Sequence, residues 1–162
     1  MKILIVSDTH RRDENLKLVI EENIPMDMLI HLGDAEGSDC YIPEWVNPEC
    51  RMEMVLGNND FFSKLDRERE IEIRGHRIFI THGHYYGVSM GPEGLADEAR
   101  SRGCDIAMYG HTHKPFLGKI DGVTVLNPGS LSYPRQEGRR PSYMIMMVDE
   151  EGRIDYWQKF LH

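Results

Sequence analysis

The stretch MKILIVSDTH (residues 1–10) decides the fold, because the apolar run Ile3 to Val6 gives way within two residues to Asp8 and His10. A short β-branched run bounded by polar residues reads as a strand buried on both faces. The next segment, Asn15 to Ile20, carries Leu16, Val19 and Ile20 at helical spacing, with Asp13 placed as its N-cap. Apolar runs recur at Met28 to Leu32 and Met52 to Leu56, the latter after a loop containing Pro43 and Pro48. Strand, helix and further buried strands predict an α/β layer architecture.

Working outward, Glu70 to Ile73 and Arg77 to Thr81 flank the turn Arg74-Gly75 and predict a strand pair. Leu95, Ala96 and Ala99 mark a helix face that ends near Gly103, and Ile106 to Tyr109 gives another short strand. Phe116 to Ile120 and Val123 to Leu126 are joined by Asp121-Gly122, a strong hairpin signal. Tyr143 to Val148 and Ile154 to Phe160, broken at Glu151-Gly152, read as a terminal hairpin.

The residues just after the strands carry the chemistry. Val6 leads to Asp8 and His10, Leu32 to Asp34, Leu56 to Asn58, Ile80 to His82, and Tyr109 to His111 and His113. Sites of α/β folds assemble outside the carboxyl ends of strands, so these five segments can converge. Each piece alone has a plain reading: Asp-x-His as a capped turn, Gly33-Asp34 as a turn, Asn58 bonded to its own backbone. His111 and His113 are stronger, since imidazoles one residue apart can reach one metal ion where a strand breaks into a loop. The joint occurrence is what points to metal chemistry.

Composition sets bounds. A chain of 162 residues with 40% apolar content suits one globular domain, residues 1–162. The net charge of −8, without a stripe of Lys and Arg, disfavours nucleic acid as a partner. Cys40, Cys50 and Cys104 are odd in number and widely spaced, and read as reduced cytoplasmic thiols. No apolar run has the length of a signal peptide core or membrane span, so no membrane partner is expected. A symmetric homo-oligomer is compatible with the chain, although no residue pattern marks an interface.

Asp8-Thr9-His10, Gly33-Asp34, Gly57-Asn58-Asn59-Asp60, Thr81-His82-Gly83-His84 and Gly110-His111-Thr112-His113 resemble, in this order, the motifs of calcineurin-like metallophosphoesterases. More narrowly, the chain resembles the small bacterial and archaeal phosphodiesterases related to the retromer scaffold subunit. The likeness runs from residue 1 to about residue 150 and includes Asn127-Pro128-Gly129-Ser130. It implies a four-layer α/β/β/α sandwich with two facing mixed β-sheets. It also implies that Asp8, His10 and His113 hold one divalent ion, that Asn58, His82 and His111 hold a second, and that Asp34 bridges them.

Several imidazoles make Mg²⁺ a poor match and suit Mn²⁺, the working assignment, or Fe²⁺, Co²⁺, Ni²⁺ and Zn²⁺. Two ions about 3.5–4 Å apart would activate a bridging hydroxide to attack phosphorus in a small phosphodiester substrate. Asp60 is expected to support the ligand imidazoles, or only to close its turn. Asn59 stands where many family members carry histidine; it donates a hydrogen bond but no proton, so His84 is the replacement donor considered. Arg11 and Arg12 are placed either on substrate phosphate or on a solvated loop. The competing function is a protein-binding scaffold of the same fold with little or no catalysis.

Overall fold

The computed structural model describes residues 1–162. Its elements are β1 (Lys2–Val6), α1 (Glu14–Asn23), β2 (Met28–His31), β3 (Arg51–Met54), β4 (Glu68–Ile73), β5 (His76–Thr81), α2 (Glu93–Ser101), β6 (Ile106–Met108), β7 (Pro115–Ile120), β8 (Val123–Pro128), β9 (Ser142–Val148) and β10 (Ile154–Phe160). Every strand and helix read from periodicity is present. Three short 3₁₀ turns, Ser38–Cys40, Ile42–Glu44 and His84–Tyr86, are additions that no apolar pattern announces.

Two five-stranded sheets form, in the orders β10-β9-β1-β2-β3 and β4-β5-β6-β8-β7. Each is mixed: β1, β2 and β3 run parallel, as do β5, β6 and β8, while the remaining pairings are antiparallel. The two-residue period of the strands builds the layers. Ile3 and Ile5 meet Ile78, Ile80 and Met144 in the core between the sheets. The alternate residues Leu4 and Val6 face outward onto Leu16, Val19 and Ile20 of α1. Likewise Phe79, Ala107 and Val125 leave the second sheet on its outer side to pack on Leu95, Ala96 and Ala99 of α2. The order helix, sheet, sheet, helix follows from which face each residue occupies.

One helix terminus departs from expectation. Asp13 holds the N-cap position of α1 without a side-chain capping bond, and its Oδ2 instead accepts from Ser38 Oγ at 2.6 Å. A local cap is thereby exchanged for a tie to the segment after Asp34. At the other helix, Gly103 follows Arg102 with φ +74°, the left-handed conformation that closes α2. No helix is long and apolar enough to cross a membrane.

Register positions the functional residues. Val6 pairs with His31 and His31 with Met54 in the first sheet, while Ile80 pairs with Met108 and Met108 with Leu126 in the second. The parallel strands therefore end level with one another, and the loops that carry Asp8, Asp34, Asn58, His82 and His111 leave from one edge of the sandwich.

Candidate metal centre

Asp8 and His82 are fully buried at this edge, and Asp34 and His113 nearly so. Asp8 Oδ1 lies 3.2 Å from His113 Nε2, 3.7 Å from His10 Nε2 and 3.7 Å from His82 Nε2. Asp34 Oδ2 lies 3.3 Å from His82 Nε2 and 3.7 Å from His10 Nε2. Two groups with metal-ligand spacing result, Asp8 with His10 and His113, and Asp8 with Asp34 and His82. His111 Nδ1 sits 3.1 Å from Asn58 Oδ1, and the His111 ring lies 5.2 Å from that of His82. The seven residues predicted as ligands are thus gathered from five loops.

Imidazole orientation is fixed from behind. His82 Nδ1 donates to the Leu32 carbonyl at 2.6 Å, and His113 Nδ1 to that of Tyr133 at 2.7 Å. Each bond leaves Nε2 turned toward the carboxylates, as a metal-binding imidazole requires. Asp8 Oδ1 and His82 Nε2 are buried without a hydrogen-bond partner. Such orphaned atoms are costly unless a proton or cation lies between them. Burial opposes charge on His82, but Asp8 and Asp34 outweigh it and hold its pKa up to about 9. Burial likewise raises Asp34, yet His82 and Asn59 prevail and keep it down at about 2. Two carboxylates that stay ionised beside open imidazole nitrogens fit divalent ions.

Local backbone serves the same end. Asp8, His10, Asp34, His111 and His113 all have φ between 48° and 70°. Non-glycine residues rarely adopt this conformation, which costs roughly 1–2 kcal/mol each, so the surrounding loops must hold it. Close approach does so. A Cβ at Gly57 would collide with Asp34 Oδ1, and one at Gly110 with Ser7 Oγ. These glycines let one loop press against the carboxylate of another.

The remaining site residues meet different partners. Asn59 does not present its amide to open solvent: its backbone N–H donates to Asp34 Oδ1 at 2.8 Å and its Nδ2 to Asp34 Oδ2 at 2.9 Å. Asp60 makes no hydrogen bond to an imidazole; it accepts from the backbone N–H groups of Asp34, Glu36 and Gly57 at 2.7–2.8 Å, which closes its turn and ties it to the loop of Asp34. His84 lies edge-on to His82 and tilted to His111, with ring centroids 5.5 and 6.0 Å away, and its Nδ1 has no partner. Burial and those two imidazoles push its pKa down. Arg11 donates to the Glu36 carbonyl, and Arg12 lies over the Tyr133 ring.

Sequence reasoning quoted Asn127 and Ser130 only within a motif, and gave Ser7 and His31 no role. Ser7 Oγ donates to Asp8 Oδ2 at 2.6 Å, and Ser130 Oγ to the Asp8 carbonyl at 2.8 Å. His31 is buried, accepts from the Gly33 N–H on Nδ1, and therefore donates from Nε2 to Thr9 Oγ1. It reads in sequence as one more residue of a strand. Asn127 donates to the Gly110 carbonyl and to Thr112 Oγ1, steadying the loop that carries His111 and His113.

The model of the calcineurin-like phosphoesterase superfamily domain matches residues 1–151. The chain belongs to this superfamily. A probable metallophosphoesterase of Methanothermobacter thermautotrophicus is 32% identical over 161 residues, covering 93% of this chain and 88% of the relative. The Escherichia coli phosphodiesterase YfcE is 34% identical over 173 residues, covering 92% and 89%. A crystallised single mutant of Vps29 from Entamoeba histolytica superposes with a TM-score of 0.78 over the whole of both chains at 22% identity, a likeness of fold. As a superfamily member with these relatives, the protein is a metal-dependent phosphoesterase.

Proposed function

We propose that residues 1–162 form one binuclear phosphodiesterase domain acting on a small phosphodiester, with Mn²⁺ as the working metal. The observation that carries this reading is the buried, unpartnered pair Asp8 Oδ1 and His82 Nε2 at the meeting point of Asp34, His10 and His113. Asp8, His10 and His113 would hold one ion, Asn58, His82 and His111 the other, with Asp34 between them. Bound there, the two ions would supply a hydroxide nucleophile and a positive field for the phosphoryl oxygens.

The protein's own part is orientation. Leu32 and Tyr133 carbonyls keep His82 and His113 in the tautomer that offers Nε2. Asn59 fixes both oxygens of Asp34 and so acts as a positioning residue. Asp60 fastens the loops that bear Asp34 and Asn58. His84, with a lowered pKa, is neutral near pH 7 and serves as an N–H donor to the phosphoryl group rather than as a proton source. With asparagine at position 59 and His84 neutral, the site offers little proton assistance to a leaving oxygen, so a preference for activated aryl diesters is expected.

The test is hydrolysis of an activated aryl phosphodiester with added Mn²⁺, beside an aryl amide control. Turnover of the diester alone, abolished by chelation and by Asp34→Asn in folded protein, is the expected result. A scaffold reading, favoured by the Vps29-like fold, requires no metal-dependent turnover of either compound.

A further inference from the structure

Beside the candidate centre lies an open cleft of about 520 Å³ lined by His10, Glu36, His113, Tyr133, Arg135 and Arg139. Two of these residues are proposed ligands of one ion, so the cleft adjoins the place proposed for the phosphoryl group. Carboxylates, backbone carbonyls, aromatic rings or a neighbouring histidine engage every other arginine in the chain. The side chains of Arg135 and Arg139 alone have no such partner, and both line this cleft. In a chain of net charge −8, two free guanidinium groups in one place stand out against the general field.

Their loop is fixed in place. The Tyr133 carbonyl accepts from His113 Nδ1 at 2.7 Å, and Arg135 N–H donates to the His113 carbonyl at 3.0 Å. Ser130 Oγ accepts from the N–H groups of Ser132 and Tyr133 while donating to the Asp8 carbonyl. Arg139 follows in a turn, its N–H bonded to the Gln136 carbonyl, and Gln136 Nε2 closes the turn on the Arg140 carbonyl. The same segment thus orients His113 and carries Arg135, while Arg139 is held by its own turn. Glu36 is the cleft's single carboxylate, and its Oε2 is directed to His10 Nδ1 at 3.5 Å rather than to either arginine.

Resting on the phosphodiesterase reading, we propose that Arg135 and Arg139 form a specificity site for a second anionic group carried on one ester arm of the substrate. Guanidinium groups match the paired oxygens of a carboxylate or phosphoryl group, and the partly exposed Tyr133, whose ring already meets Arg12 and His10, lines the same cleft.

The Mn²⁺-loaded protein is titrated calorimetrically with phenyl phosphate, 4-carboxyphenyl phosphate and 4-phosphonophenyl phosphate. Turnover of the matching 4-nitrophenyl aryl diesters is followed in parallel. Wild type is expected to favour the charged arms about tenfold in affinity, the two ranking carboxylate against phosphoryl recognition. Arg135→Gln and Arg139→Gln should each reduce that ratio, and the double variant should bring it to about one. Equal affinity for charged and neutral arms in wild type, or a preference that survives in the folded double variant, overturns the proposal. A preference without turnover of any diester upholds the anion site and removes the phosphodiesterase reading; turnover without preference does the reverse.

Discussion

At the scale of single residues, the substituted histidine position is the most informative. A side chain at position 59 in the predicted role would face the leaving group, and Asn59→His would aid alkyl diesters by restoring a proton donor. Both nitrogen donors of Asn59 are instead committed to Asp34. Asn59→Ala is therefore expected to weaken Mn²⁺ binding about 10–100-fold, the usual effect of losing a bond that orients a ligand. Calorimetric metal titration reads this directly, and unchanged affinity in a folded variant would remove Asn59 as a positioning residue. Asn59→His gives up the same amide bond, so its gain on alkyl substrates is set against a poorer metal site. Sequence spacing located residue 59 beside a ligand, but the direction of its side chain depends on the chain segment it meets.

At the scale of elements, strands supply stability and the loops after them supply geometry. Ile80 lies in β5 within the core between the sheets, and Ile80→Ala is expected to cost about 2–5 kcal/mol in urea denaturation. Mn²⁺ affinity extrapolated to the native state should change little, since the Ile80 side chain belongs to the apolar core and not to the ligand cluster. Ser130 presents the opposite case. Its hydroxyl joins the Asp8 carbonyl to two N–H groups of the loop after β8. Ser130→Ala leaves buried polar groups unpaired, at about 1–3 kcal/mol, and should also lower metal affinity because Asp8 is held at φ 55°. A stability loss with undiminished Mn²⁺ binding would show that the loop does not govern the Asp8 backbone.

For the whole molecule, charge at one edge of the sandwich links stability to pH and to metal. In the chelated protein, His82 has a folded pKa of about 9 against 6.5 when unfolded. A raised pKa stabilises fully below 6.5, and that contribution is lost as pH rises through 9. Asp34 is held at about 2 against 3.8, so its contribution is present above 3.8 and lost as pH falls through 2. Scanning calorimetry with chelator present is therefore expected to show Tm falling between pH 6.5 and 9; a Tm that rises there would contradict the ion pairing of His82. With metal that fall should be lost over most of the range, because imidazoles bind metal in the neutral form and His82 then carries no proton to release. Metal at 100 times its dissociation constant should add about 2.7 kcal/mol at fixed pH, which chelation removes.

The sequence by itself determined the elements and the types of polar residue that follow the strands. Continuous apolar runs such as Ile3 to Val6 and Ile78 to Ile80 must be buried on both faces, and a layered α/β core provides that. Asp8, Asp34, Asn58, His82 and His111 were legible because each stands just beyond such a run. Tertiary structure decided what those residues meet. The hold of Asn59 on Asp34, the buried bridge from His31 to Thr9 and the bond from Ser130 to the left-handed Asp8 join segments 25, 22 and 122 residues apart. Local periodicity reports which face of an element is apolar. It carries no information on which loop from another strand will supply the matching donor, and that pairing arises only when the parallel strands stop at the same level.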